Sequence, residues 1–364
     1  MSKKIIIVAV VIVVLVLVGI FGYWQLSQAP QKPAPLSQEL SPVLNIYNWE
    51  DYIGTTTIAD FEKEFGVKVN LESYPNEDAM ISGVQSDPIK YDIVVGSDIL
   101  VKEMNNMKLL AEIDLKNIPN LKNIGAEFQN PSYDPGNKHS IPYMWGTSGI
   151  VINHEFIEET EPSWAILWSP AYKGKITMLD NMQDVIGAAL RYAGYSANSV
   201  DPAELEKARQ LLLQQKPLLR GYENGYQIRD AILNGELWAA HSYSGDGSML
   251  VSQNENIEYV IPKEGAFIWV DNLLIPVGSQ HKYTAEVFIN YVLRPDVSAK
   301  IANYLWYANT NEAARELTNP DILQDPAIYP SEEARKKLEF AGYFGGVEAV
   351  ALYNQIWAEL QATK

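Results

Sequence analysis

From residue 43 onward, short apolar runs alternate with stretches whose hydrophobic residues recur every three to four positions. Residues 43–47 form an apolar run and predict a first strand. Thr57 opens a predicted helix, with Asp60 three positions on as a capping-box-like pair. Ile58, Phe61 and Phe65 form its buried stripe, and Gly66 ends it. A second strand follows at 67–71, a second helix at 77–86, a third strand at 91–95 and a helix at 99–107. Strands that alternate with helices predict a parallel sheet with right-handed crossovers. The pattern resumes over 149–266, with strands at 150–152, 175–179, 237–241 and 257–261 and helices at 185–195 and 203–215. An apolar segment at 273–276, helices at 283–293 and 297–305, and a final helix at 347–360 complete the reading. A chain of 364 residues is long for one core, so two α/β lobes are expected.

The N-terminus has a different pattern. Lys3 and Lys4 precede an uncharged apolar stretch from residue 5 to residue 24. A helix of that length rises about 30 Å, which matches a bilayer core. Paired lysines ahead of it place the N-terminus in the cytoplasm and the body outside. A cleaved signal peptide is the rival; Ser27-Gln28-Ala29 has the small residues for cleavage, but Pro30 would follow the cut. An uncleaved N-terminal hydrophobic helix is the preferred reading, and either way the body is exported to the periplasm or its extracytoplasmic equivalent. Residues 25–43, with Pro30, Pro33, Pro35 and Pro42, read as an extended linker holding the body near the inner membrane.

Alternation also brings distant residues to one edge. In open parallel sheets, ligands bind beyond the carboxyl ends of the strands. Trp49-Glu50-Asp51-Tyr52 follows the first strand and Ser97-Asp98 follows the third. Tyr243-Ser244-Gly245-Asp246 follows a later strand and enters what reads as a Gly-rich turn, while Trp269 and Asp271 alternate and share one strand face. Each cluster pairs an aromatic face with a carboxylate one to three residues away. That combination suits an organic cation with a hydrocarbon body. Asp180 and Asp184 follow another strand, where helix capping by Asp180 is the structural alternative. Tyr304, Trp306 and Tyr307 form an aromatic knot suited to core or hinge packing.

Charge and composition narrow the classes. The formal net charge is −17; residues 1–42 carry +2, leaving −19 on the body. An acidic body lacks the basic footprint of a nucleic-acid binder and attracts cations at long range. With no cysteine, disulfides, thiolate metal sites, catalytic thiols and a lipid-modified cysteine are excluded. His139, His154, His241 and His281 show no metal-ligand spacing, so no metal or cofactor is expected. The nucleophile elbow, the HExxH helix, the dinucleotide fingerprint and the P-loop are all missing, which weakens most enzyme classes. Paired acids keep a glycosidase as the enzyme alternative.

Over about residues 44–360 the chain resembles the periplasmic spermidine/putrescine-binding proteins of ABC importers, within the solute-binding protein superfamily. The resemblance is carried by Ile46-Tyr47-Asn48-Trp49, Tyr91-Asp92-Ile93-Val94-Val95, Ile141-Pro142-Tyr143-Met144-Trp145-Gly146, Trp168 through Tyr172-Lys173-Gly174, Phe267 to Asp271, and Leu293-Arg294-Pro295-Asp296-Val297. It implies an α/β fold of two lobes joined by crossover strands and closing on the ligand like a hinge. The expected partition is 44–149 with 268–315 in lobe 1, and 150–267 with 316–364 in lobe 2. Carried over by position, Trp49, Asp51, Tyr52, Ser97, Asp184, Tyr243, Asp246, Trp269, Asp271 and Tyr307 are implied ligand contacts. Tyr243 stands where the family usually has Trp. Ile99 replaces a Tyr of the spermidine-type members, Asn181 replaces an Asp, and Tyr343 or Phe344 falls where a Gln contact belongs, departures that weaken a carry-over of spermidine preference, while Asp246 matches an acid of the putrescine-type members and leans toward a diamine.

The resulting expectation is a non-catalytic, monomeric protein that captures a polyamine, putrescine and/or spermidine, and delivers it to ABC permease subunits, with no nucleic-acid partner. The alternatives are another organic cation on the same fold, such as a guanidino compound, and a tethered polyamine sensor.

Overall fold

A computed structural model describes residues 38–158, 161–342 and 346–363. The expected membrane helix, most of the linker, and Tyr343 and Phe344 lie outside the described residues. Among the described residues, no helix is long and apolar enough to cross a membrane.

The first half-sheet forms as the alternation predicts. β1 (Val43–Trp49), α1 (Thr57–Phe65), β2 (Lys68–Tyr74), α2 (Glu77–Ser86), β3 (Ile93–Ser97) and α3 (Asp98–Asn106) follow in order. β1 pairs in parallel with both β2 and β3. Helix ends obey local chemistry. Gly66 closes α1 in the left-handed conformation at φ 70°, Asn76 caps α2, and Ser97 caps α3. The anticipated capping box at Thr57 is absent. Thr56 occupies the cap position, and its hydroxyl bonds the Asp60 carboxylate at 3.0 Å instead of a backbone N–H.

β4 (Ser140–Asn153) is a fourteen-residue strand, buried along its whole length. Beyond it come β5 (Ile176–Leu179), α4 (Met182–Tyr192), α5 (Pro202–Gln215), β6 (Leu219–Glu223), α6 (Gly225–Leu233), β7 (Ala239–Tyr243), α7 (Ser244–Gln253), β8 (Ile257–Val260) and β9 (Phe267–Leu274). α8 (Lys282–Val292), α9 (Pro295–Leu305), the two-residue strands β10 (Ala308–Asn309) and β11 (Glu339–Phe340), with short helical turns at Pro320–Gln324 and Glu332–Arg335 between them, and α10 (Val347–Ala362) follow. The strand order is β2-β1-β3-β9-β4-β7-β5-β6. β5 pairs in parallel with β6 and β7, whereas β9 and β4 run antiparallel to their neighbours in the middle. The sheet is therefore mixed: two parallel flanks joined by an antiparallel centre.

Among the described residues, the two largest of four buried apolar clusters flank that centre. Leu44, Ile46, Phe61, Ile93, Ile141 and Phe288 belong to the first. Ile150, Trp164, Ile176, Ile186, Leu212 and Tyr353 belong to the second. β4 feeds both, with Ile141, Tyr143 and Trp145 on one side and Ile150 and Ile152 on the other. It is a crossover strand between two lobes. Ile322 and Ile328, from the late segment whose end is α10, pack into the first core, while Tyr353, Ile356 and Leu360 of α10 pack into the second.

The Gly-rich stretch after β7 is the first turn of α7 and not a loop. Its glycines serve close approach. A Cβ on Gly245 would enter the Tyr307 ring, and one on Gly247 the Tyr259 ring.

Candidate acidic–aromatic cleft

Strand ends place the side chains. Tyr243 ends β7, Ser97 ends β3, Asp184 lies in the first turn of α4 just beyond β5, and Trp49 ends β1. Across the sheet, Ser97 is the register partner of Asp271, Gly146 that of Trp269, and Ser148 that of Tyr243. The two parallel flanks and the crossover strands thus set one row of side chains at the carboxyl edge. Gly146 leaves room for the Trp269 ring, where a Cβ would come within 2.5 Å of it.

Four carboxyl groups share this region. Asp271 is buried, and burial pushes it up to about 7; the nearby Tyr52 hydroxyl opposes the shift and the charge of Glu77 adds to it. Tyr52 Oη approaches Asp271 without completing a hydrogen bond of good geometry. Asp184 is also raised by burial, opposed by Ser148 Oγ donating at 2.5 Å and Tyr243 Oη donating at 2.9 Å. Glu77 accepts from Ser97 Oγ at 2.5 Å and is raised by burial to about 6, with Asp184 among the charges that add to the shift. Asp98 is 1% exposed, and its oxygens have no hydrogen-bond partner of good geometry. Burial first and Asp271 second hold it well above the carboxylate range. Among the described residues no basic side chain forms an ion pair with any of the four. Buried acids without a countercharge stay neutral or await a cation.

Aromatic rings wall the same space. Tyr243 meets Trp269 edge-on at 5.8 Å, Trp269 meets Tyr307 at 5.4 Å, and Tyr307 meets Tyr52 at 5.8 Å. Tyr52 in turn meets Tyr143 at 5.7 Å. Trp269 Nε1 is buried without a partner among the described residues. Trp306 ends α9 in the left-handed conformation, and Tyr307 follows it into this wall.

The sequence-derived residues separate into groups. Tyr52, Ser97, Asp184, Tyr243, Trp269, Asp271 and Tyr307 converge through the contacts above. Trp49 stands farther off: its ring packs on Tyr74 at 4.5 Å, and Tyr74, whose hydroxyl donates to the Val95 carbonyl, lies within electrostatic reach of Asp271 and Glu77. Asp246 borders Tyr307 but already pairs with Arg229 at 3.2 Å. Asp51 is exposed, at φ 52°, and accepts from Tyr304 Oη at 2.6 Å. Asp180 does not cap α4; Asn181 does, accepting from the backbone of Gln183 and Asp184. Sequence reasoning missed Glu77, Tyr143 and Ser148 as parts of this site, and it set Asp98 at the strand edge without counting it among the contacts. The signal for Glu77 was its place at the start of a helix directly after a strand, the same position that marks Asp98 and Asp184.

The two lobes also touch at the rim. Tyr226 Oη of α6 donates to the Glu50 carbonyl at 3.0 Å. The Arg229 guanidinium lies over the Tyr226 ring at 4.5 Å.

The sequence profile of the bacterial extracellular solute-binding proteins matches residues 56–330. The spermidine/putrescine-binding periplasmic protein of Salmonella typhimurium is 33% identical over 321 residues, spanning 88% of this chain and 91% of its own. The putrescine-binding periplasmic protein SpuD of Pseudomonas aeruginosa is 33% identical over 315 residues, 81% of this chain and 86% of its own. Among solved structures, the spermidine/putrescine ABC transporter substrate-binding protein PotD of Streptococcus pneumoniae superposes with a TM-score of 0.78 at 34% identity, covering 88% of this chain and 99% of that one. The chain belongs to the bacterial extracellular solute-binding protein family.

Proposed function

From that membership we propose that this protein captures a polyamine in the cleft between its lobes and hands it to the permease of an ABC importer. One observation carries the reading: Asp184, Glu77 and Asp271 stand among aromatic rings with no basic side chain of the described residues paired to them. Ammonium groups make charge-assisted hydrogen bonds to such carboxylates. Tyr243, Trp269, Tyr307 and Tyr52 cover the methylene chain, each cation–π contact adding about 0.5–2 kcal/mol. Asp184 comes from the second lobe and Glu77 from the first, so one ligand contacts both and favours the closed state by that difference alone. The chain is a carrier and not a catalyst; no bond in a polyamine needs breaking for delivery.

The body acts outside the cytoplasm, as the relatives named periplasmic do. It works as a monomer held to the membrane by residues 5–24, with residues 25–43 as tether. Membrane fractionation of the native chain, with and without residues 1–42, tests the tether; a full-length protein found wholly in the soluble fraction removes it. Titration of putrescine and spermidine into the protein by calorimetry tests capture. One binding event per chain is expected; no heat and no thermal shift with either ligand refutes it.

A further inference from the structure

Glu77 lies outside every acidic–aromatic cluster, yet its carboxylate stands where those clusters meet. It is the first residue of α2, whose entry is fixed by Asn76 Oδ1 accepting from the Ala79 N–H at 2.9 Å. Its own carboxylate is held by Ser97 Oγ at 2.5 Å. Ser97 is the register partner of Asp271 across β3 and β9. Glu77 therefore hangs beside the Asp271 position, and it also lies within electrostatic reach of Asp184 and of the Tyr243 hydroxyl. Three elements from different parts of the chain supply the row: β9 gives Asp271, α2 gives Glu77, α4 gives Asp184.

The other acids are engaged or out of reach. Arg229 matches Asp246. Asp51 is exposed and bonded to Tyr304. Asp98 is sealed at 1% exposure. A diamine in the cleft neutralises two carboxylates and leaves the third, half-buried beside them, without a countercharge, which is costly. A triamine neutralises all three. Discrimination then comes from the group left unpaired with the wrong ligand.

We propose that Glu77 is a ligand-facing third carboxylate that makes the cleft selective for a linear triamine over a diamine. This rests on the polyamine reading and goes beyond it by fixing the ligand's charge count.

The test compares spermidine with putrescine on the full-length protein in mild detergent, for the wild type and for Glu77→Gln. The amide keeps the shape and can still accept from Ser97. The wild type should favour spermidine by about 10-fold or more, the worth of one charged hydrogen bond. Glu77→Gln should lose most of that preference by weakening spermidine about 10-fold more than putrescine. Equal loss for both ligands, or an unchanged ratio, overturns the role of Glu77. Should the variant not fold, proton release decides on the wild type alone. Calorimetry at pH 6 in two buffers of different ionisation enthalpy should show more protons released by spermidine than by putrescine, and equal release overturns the proposal. A wild type that binds neither ligand overturns the polyamine reading itself, and this inference with it.

Discussion

Tyr243 Oη donates to Asp184 Oδ2 at 2.9 Å while the Tyr243 ring meets Trp269 edge-on at 5.8 Å. One side chain thus supplies both the wall and the orientation of the acid beside it. Tyr243→Phe keeps the ring and removes the donor. A lost hydrogen bond to a charged group is worth about 1.5–3 kcal/mol, so affinity for polyamine should fall about 10-fold or more. Calorimetry on the variant checks this, and unchanged affinity would show that Asp184 is oriented by Ser148 alone.

Asp271→Asn should weaken binding more severely. Removing one partner of a buried charge pair costs about 3–5 kcal/mol, or at least about 100-fold in affinity. The free protein should not suffer. Asp271 is raised to about 7 by burial, so its ionised form opposes folding. At pH 8 the ligand-free variant should therefore melt no lower than the wild type. A lower melting temperature would mean that Asp271 is structural.

The raised acids set the direction of pH dependence. In the free protein Asp271 titrates near 7 and Glu77 near 6, and both lie lower in the unfolded chain. Between about pH 4 and 7 the native state holds protons that the unfolded state has released. Ligand-free stability therefore falls as pH rises through that window. Ligand affinity moves the other way, because bound ammonium groups need ionised acids. The thermal shift given by saturating polyamine should grow from pH 5.5 to pH 8, as melting curves at each pH would show. A flat profile would place these acids outside the binding equilibrium.

Tyr226 and Glu50 close the rim through a single hydrogen bond at 3.0 Å. Tyr226→Phe removes it without touching the acid row. The bond joins a second-lobe helix to a first-lobe loop, so its loss should act on closure. Ligand release should quicken by about 2- to 10-fold, the worth of one ordinary hydrogen bond. Association should change little, which stopped-flow fluorescence can separate from release.

Gly245→Ala should displace Tyr307, whose ring occupies the space a Cβ would need. Overpacking of this kind costs about 1–3 kcal/mol. Reduced affinity with a modest loss of melting temperature is the expected pair of results, measured by titration and by thermal denaturation.

Much of this arrangement was legible in the residues. The alternation placed eight of the ten long helices among the described residues within a few positions, and 77–86 matches α2, whereas α7 read as a Gly-rich turn. Period-two spacing put Trp269 and Asp271 on one face. Other features were not legible. β4 read as residues 150–152 because Pro142, Gly146 and Gly149 interrupt its apolar pattern; burial along its full length overrides that local signal. β6 and α6 were missed because Leu219–Glu223 is polar and Gly225 opens the helix, although Asn224 and Gln227 form a capping box that marks it. The partners of the acids could not be read at all. Nothing local in the sequence distinguishes Asp246, paired with Arg229 seventeen residues earlier, from Asp271, which pairs with no cation among the described residues. Countercharges depend on how α6 packs on α7, a tertiary fact. Glu77 was overlooked although Tyr74 stands three residues before it, because its role arises from Ser97, twenty residues on, a contact the local sequence does not show.

A structure of the protein with spermidine bound tests the central claim most directly. The ligand's nitrogens should lie about 2.7–2.9 Å from carboxylate oxygens of Asp184, Glu77 and Asp271, with its methylenes between Trp269, Tyr243 and Tyr307. Spermidine found elsewhere, or in the cleft with Asp184 and Asp271 both out of hydrogen-bond reach, would contradict the account.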